Sequence, residues 1–107
     1  MARPESYPLL GDAGATATGA GSWVRRRDVA SSFQAVLTGA GAVTATIDIE
    51  ASNDGVNALE TPHGTITLAG TDSASDGFET TSNWLYVRAN VTALTGTGAN
   101  VKVLMGG

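Results

Sequence analysis

Residues 42–51 read AVTATIDIEA and have the clearest strand pattern in the chain. Aliphatic and polar side chains alternate strictly along this stretch, with Val43, Ala45, Ile47, Ile49 and Ala51 in one set and Thr44, Thr46, Asp48 and Glu50 in the other. Successive side chains of a β-strand point to opposite faces, so this pattern is typical of a strand with one buried and one solvated face. We expect the segments on either side of residues 42–51 to form strands of the same kind.

Similar two-residue alternation recurs on both sides of this strand. It is clear in SSFQAVL (31–37), GTITLAG (64–70), NWLYVRANVTAL (83–94) and NVKVLM (100–105), and weaker in SWVRRR (22–27) and DGFET (76–80). No stretch has convincing helical periodicity. Seven or eight short strands separated by turns predict an all-β fold, specifically a single-domain antiparallel β-sandwich of jelly-roll or Greek-key type.

One glycine-rich phrase occurs twice, as LTGAGA (37–42) and as LTGTGA (94–99). Each copy lies between two alternating segments, and glycine adopts the positive φ angles that other residues resist. We therefore predict two short hairpin connections, and a third turn at SNDGVN (52–57), where an Asp-Gly pair favours a hairpin.

The N-terminal 21 residues differ from the rest of the chain. Pro4 and Pro8 precede GDAGATATGAG, which has no periodicity and almost no bulky side chain. We predict an extended N-terminal arm over residues 1–21 that lies outside the core, followed by the sandwich domain over 22–107. The apolar side chains of the arm, which are candidates for contacts with a partner, are Tyr7, Leu9 and Leu10.

Composition excludes several classes of protein. The 107 residues suffice for one domain, and with no cysteine there is no disulfide framework. The start of the chain lacks the pattern of a secretory signal, and no apolar run approaches the roughly 20 residues of a membrane span, so we expect synthesis in the cytosol and no membrane partner. A net charge of −4 has the wrong sign for a protein that binds nucleic acid.

Arginines and aromatic residues supply the remaining contact candidates. Arg25, Arg26 and Arg27 are consecutive, and strand alternation points the first and third away from the second, which is typical of a solvated or salt-bridged strand end. The alternative is a docking patch for an acidic protein surface. Trp23, Trp84 and Tyr86 favour core or subunit contacts, with a stacking platform for sugar rings as the alternative.

Residues capable of catalysis are few. His63 is the only histidine, it lies in TPHG, and no GxSxG pattern accompanies it. Asp48 and Glu50 share one face about 7 Å apart, as glycosidase carboxylates can, but they also form the polar half of an amphipathic strand. Calcium ligands are conceivable among Asn53, Asp54, Asp72 and Asp76, without the spacing of a calcium loop. We therefore predict no catalytic residues, no metal, no cofactor and no enzymatic activity.

Residues 22–105 resemble a known class of proteins in SWVRRRDVASSFQAVLTGAGAVTATIDIEASNDGVNAL, GTITLAG and NWLYVRANVTALTGTGANVKVLMG. The pattern is similar to small virion proteins of tailed bacteriophages, of the head-decoration or cement kind, which have β-sandwich or jelly-roll folds. SNDGVN and WLYVRANVTALTGTGA are its most specific segments. Many such proteins carry tryptophan just after SNDGVN, where this chain has Ala58.

The resemblance implies a non-enzymatic protein on the exterior of the virion head. Its implied partners are the major capsid protein and further copies of itself, as a dimer or trimer, and not nucleic acid. The arm and the three arginines are the expected docking contacts. A tail or baseplate component and a carbohydrate-binding β-sandwich module are the alternatives.

Overall fold

The computed structural model describes residues 6–26 and 30–106. They contain six strands: β1 (Ser6–Pro8), β2 (Gly19–Ala20), β3 (Val24–Arg25), β4 (Ser31–Ser52), β5 (Gly64–Thr80) and β6 (Tyr86–Gly106). All pairings are antiparallel, and the described residues form no helix. The prediction of an all-β antiparallel fold is confirmed, whereas a jelly-roll or Greek-key sandwich stays a prediction.

The six strands belong to one sheet. Its order is β1-β6-β4-β5, and β2 and β3 also pair with β6. β4 is therefore the central strand, with β5 along one edge and β6 along the other. The alternating pattern of residues 42–51 is confirmed, since Val43, Ala45, Ile47, Ile49 and Ala51 are all buried.

The predicted hairpins at LTGAGA and LTGTGA are wrong. Residues 37–42 lie inside β4 and residues 94–99 lie inside β6, so pairs of predicted short strands are in fact single long strands. The two phrases are neighbours in the sheet, with Ala40 of the first opposite Thr97 of the second. Register shifts on both sides of Ala40 indicate β-bulges, which use the same glycine chemistry as turns.

The long strands bend at these bulges. A straight strand of 22 residues would span roughly 70 Å, yet the longest extent of the described molecule is 40 Å. Phe33 and Leu37, before the bulge in β4, belong to the same buried cluster as Ile47 and Ile49 after it. The bent sheet thus encloses one common apolar core.

Close backbone approach at the bend requires glycine in β6. Gly96 has a φ of +122°, and a Cβ there would lie 2.7 Å from Cγ1 of Val43 and 2.9 Å from the carbonyl oxygen of Ala42. On the other side of β4, the register with β5 shifts between Thr38 and Ala42, and Asp72 has a positive φ of 65°. The carboxylate of Asp72 accepts a hydrogen bond of 2.7 Å from the backbone N–H of Gly41, which ties β5 to β4 at the bend.

The N-terminal segment lies along the outer edge of β6. After β1, the N–H groups of Leu9 and Gly21 donate to the carbonyls of Val103 and Ala89, each at 2.8 Å. The expectation that this segment lies outside the core is wrong for Leu9, which is buried in the common cluster because backbone pairing holds it beside the buried Val103. Pro4 lies outside the described residues, and the domain division at residue 21 stays a prediction.

Candidate functional site

The outer face of the sheet carries a polar patch beside the end of β4. Strand pairing sets Val24 opposite Val87, which brings the preceding Trp23 beside Arg88. Arg88 lies in turn opposite Glu50, so these three side chains form a row across neighbouring strands. We define the outer platform as the side chains of the row and its neighbours: Trp23, Arg25, Glu50, Tyr86, Arg88 and Asn90.

An ion pair organises the outer platform. Nε of Arg88 donates to Oε1 of Glu50 at 2.5 Å, and Nδ2 of Asn90 donates to Oε2 at 3.3 Å. The guanidinium carbon of Arg88 lies 4.5 Å from the ring centroid of Trp23, in cation–π geometry. The Arg88 and Glu50 side chains are only 27% and 17% exposed, so the pair is partly shielded from water.

Both aromatic rings of the outer platform have a covered face. Arg88 lies over Trp23, and Gly55 lies against Tyr86, since a Cβ at Gly55 would be 3.4 Å from that ring. A sugar ring stacks on an open aromatic face, so these contacts reduce the area that a sugar could use. Trp84 is half-buried, and its backbone carbonyl faces Arg26.

The carboxylates at 48 and 50 have separate partners. Glu50 binds Arg88, whereas Oδ1 of Asp48 accepts a hydrogen bond of 2.9 Å from the hydroxyl of Thr65 on β5. Both residues are half-buried on the outer face, as the amphipathic pattern predicts. Each carboxylate thus stabilises cross-strand pairing.

The SNDGVN turn is held by the carboxylate of Asp54. Oδ1 accepts hydrogen bonds from the backbone N–H groups of Val56 and Asn57, each at 2.8 Å, and from the Ser52 hydroxyl at 2.7 Å. The N–H of Asn57, followed by the Ser52 hydroxyl, favours the ionised form and lowers the pKa of Asp54 well below its ordinary value. This turn is confirmed and is built as an Asx turn.

The candidate calcium ligands do not converge. Asp72 binds the backbone of Gly41, and Asp76 accepts a hydrogen bond from the backbone N–H of Gly77. Within residues 6–26 and 30–106, no three or more histidine or acidic side chains lie close enough to hold a metal ion.

Arg26 is buried and hydrogen-bonded to other segments of the chain. It is only 7% exposed, and its Nη1 donates to the Ser82 carbonyl at 2.8 Å, the Ser82 hydroxyl at 2.9 Å and the Trp84 carbonyl at 3.1 Å. Its Nε donates to the hydroxyl of Ser31 at 3.1 Å. Burial lowers the pKa of the guanidinium. Arg25 is exposed, so the predicted alternation is confirmed for these two residues, whereas Arg27 lies outside the described residues.

His63 lies beside this arginine cluster. Its Nε2 is 3.0 Å from the hydroxyl of Thr80 and 3.4 Å from that of Ser82. Burial, together with the positive charge of Arg26, lowers the pKa of the imidazole. Among the hydrogen bonds of the described residues, none joins His63 to a carboxylate, the partner that orients the histidine in a Ser-His-acid triad. These hydrogen bonds connect His63, just before β5, to Thr80 at the end of β5 and to Ser82, which also binds Arg26.

The sequence-predicted contact residues fall into two groups. Trp23, Arg25 and Tyr86 lie together on the outer platform. Tyr7 lies opposite Met105 at the other end of β6 and is 48% exposed. The remaining arm candidates point inward, with Leu9 buried and Leu10 half-buried against the core. Neither Leu9 nor Arg26 can act as a surface contact in this conformation.

The platform residues that sequence reasoning missed are Arg88, Glu50 as its partner, and Asn90. The sequence feature that could have identified them is the opposite charge of Glu50 and Arg88 on two alternating segments. It becomes informative only when β4 and β6 are known to be neighbours. Cavities lie elsewhere: one of about 510 Å³ is lined by arm residues including Tyr7 and Leu10 and by Val24 of β3. Another, of about 500 Å³, is lined by residues around Ser31 and Thr80.

No protein-family model, curated protein or solved structure matches the chain. In the described part of the chain, no helix has the length and apolarity needed to cross a membrane.

Proposed function

We propose that this chain is a non-enzymatic virion protein that binds the exterior of a tailed-phage capsid and stabilises the head. The resemblance of residues 22–105 to head-decoration proteins motivates this proposal. The observation that carries it is how residues 6–26 are held. They follow β6 almost from end to end through backbone hydrogen bonds. Among the side chains of residues 7–26, only those of Leu9 and Arg26 are buried.

An extended segment bound in this way suits assembly on a lattice. Backbone pairing is insensitive to side-chain identity, so the same segment fits the equivalent edge of a neighbouring copy or an extended segment of a capsid subunit. Modest contacts at each copy become durable when many copies bind one particle. In this proposal Arg25 and Tyr86 of the outer platform contact the major capsid protein.

Immunogold electron microscopy tests the proposed location. Intact particles induced from the source strain are labelled with antibody to the purified protein. Gold spread over the heads is the expected result. Gold confined to tails would replace the proposal with the tail or baseplate alternative, and unlabelled particles would overturn any role in the virion.

A charge-reversal pair tests the proposed contact. Arg25→Glu changes an exposed residue of the outer platform, whereas Lys102→Glu makes the same change at an exposed position on the opposite half of β6. At limiting protein, Arg25→Glu is expected to reduce occupancy of purified capsids strongly while Lys102→Glu does not. Equal occupancy for the two variants would contradict this assignment.

A further inference from the structure

One outer edge of the sheet is covered by further strands and the other is open. The outer edge of β6 is covered by β1, β2 and β3, whereas β5 pairs with β4 alone. Within residues 6–26 and 30–106, no strand lies along the outer edge of β5, which runs for 17 residues. An open edge presents unpaired backbone donors and acceptors to any other strand.

The bulge at the bend divides this edge into two unlike parts. Residues 73–80 contain Asp76 and Glu79 and follow Asp72, and acidic side chains oppose the pairing of two such segments. Residues 64–71, GTITLAGT, carry no charge and have no bulge in their pairing with β4. Charge and regularity therefore favour strand addition at residues 64–71 only.

The uncharged part is complementary to itself. Thr65, Thr67 and Ala69 are exposed, whereas Ile66 and Leu68 are 3% and 2% exposed. When two copies pair antiparallel about Thr67, residue 65 meets 69 and residue 66 meets 68. Exposed residues then face exposed ones and buried residues face buried ones, as sheet register requires. The pairing opposes no like charges and sets one threonine against another, which is a favourable cross-strand pair.

We propose that residues 64–71 of β5 pair with the same residues of a second copy across a twofold axis near Thr67. The two bent sheets thereby become one continuous sheet. Only one strand from each copy contributes, so the dimer is weak in dilute solution and is favoured where copies are concentrated. This interface does not rest on capsid binding, and its test uses the purified chain alone.

Cross-linking at a single introduced cysteine tests the register, because the chain has no cysteine of its own. Directly opposed residues of antiparallel strands have Cα atoms about 4.5–5.5 Å apart, within the range that a disulfide spans. Under mild oxidation the Thr67→Cys variant is expected to become a disulfide-linked dimer. The control, Ala93→Cys, is also exposed, but it lies on β6, two strands inward from Thr67, because Thr46 pairs with both residues. Five strand spacings would separate its two copies by roughly 24 Å, so this variant is expected not to cross-link.

Charge variants test the same interface without a covalent bond. Sedimentation of the unmodified chain up to millimolar concentration is expected to show a concentration-dependent dimer. Thr67→Lys and Thr67→Asp are each expected to be monomeric, and an equimolar mixture of the two is expected to form a heterodimer. Ala93→Lys, with the same charge placed on β6, is expected to dimerise like the unmodified chain.

Several outcomes would overturn the proposal. They are a chain that stays monomeric at all concentrations, equal cross-linking of both cysteine variants, or equal association of Thr67→Lys and Ala93→Lys. Circular dichroism of every variant separates loss of pairing from loss of folding. A dimer that fails to bind capsids would leave this interface intact and contradict only the proposed function.

Discussion

At the scale of single residues, Arg26 joins three segments of the chain. Its guanidinium reaches from the residue after β3 to Ser31 at the start of β4 and to Ser82 and Trp84 between β5 and β6. Arg26→Ala would leave buried carbonyl groups without these donors, so we expect it to lower the free energy of unfolding by about 3 kcal/mol. The adjacent Arg25→Ala removes an exposed side chain and is expected to change it by less than about 0.5 kcal/mol. Urea denaturation measures both, and similar losses would contradict the structural role of Arg26.

A second single residue, His63, makes the free energy of unfolding depend on pH. Its pKa in the folded chain is below the ordinary value of 6.5, so as pH falls the unfolded chain takes up the proton first. The stability that neutral His63 contributes is thus fully present above the ordinary pKa of 6.5. It is lost as the pH falls from 6.5 toward the lower pKa of the folded chain. We expect His63→Gln to reduce the loss of stability between about pH 7.5 and about pH 5.5. Denaturant midpoints at both pH values measure this, and an unchanged loss would refute it.

At the scale of elements, the bend explains why one glycine phrase occurs twice. β4 and β6 are paired through the bend, so both strands need an irregularity at the same level of the sheet. LTGAGA supplies it in β4 and LTGTGA in β6, and the two phrases face each other. Asp72, with its positive φ, is the counterpart in β5.

A pair of glycine variants tests the bend. Gly96 and Gly98 of β6 both have positive φ, but a Cβ at Gly96 would clash with Val43 and Ala42, whereas one at Gly98 would meet open space. Gly98→Ala incurs left-handed backbone strain of about 1 kcal/mol. Gly96→Ala incurs strain of about 1–3 kcal/mol at its φ of +122° and adds overpacking of about 1–3 kcal/mol. Thermal or urea unfolding is expected to rank Gly96→Ala as clearly the less stable variant. Equal stabilities would mean that the close approach at Gly96 does not constrain the bend.

The same elements show what the sequence could and could not predict. Alternation identifies the buried residues of β4 because the side-chain period depends only on local backbone geometry. A bulge and a hairpin turn both use glycine at positive φ, so LTGAGA does not reveal whether the chain reverses direction or continues. The Arg88–Glu50 pair of the outer platform depends on register between strands that are far apart in sequence, and that register follows from the topology.

At the scale of the whole molecule, the arm and the bent sheet share one core. Leu9 belongs to the same buried cluster as Phe33 and Val103, so the N-terminal segment is expected to unfold together with the sheet. Leu9→Ala should lower the free energy of global unfolding by about 3 kcal/mol, because it leaves a cavity in that core. Leu85→Ala, which changes a leucine that is 43% exposed, should alter it by less than about 0.5 kcal/mol.

Denaturant unfolding and native-state hydrogen exchange together measure this coupling. Leu9→Ala is expected to unfold in a single transition at a lower denaturant concentration than the unmodified chain. The ratio of the exchange rates of the residue 9 and Gly21 amides to those of the β4 amides is expected to stay the same in both proteins. These amides are informative because each donates to a β6 carbonyl. If the substitution instead accelerates exchange only in residues 6–21 and leaves global unfolding unchanged, the arm is an independent unit. In that case the arm of a single copy could leave β6 at a small cost in free energy. Coupled unfolding would instead mean that the arm can move to a neighbouring copy only if that copy replaces both the backbone pairing and the Leu9 contacts.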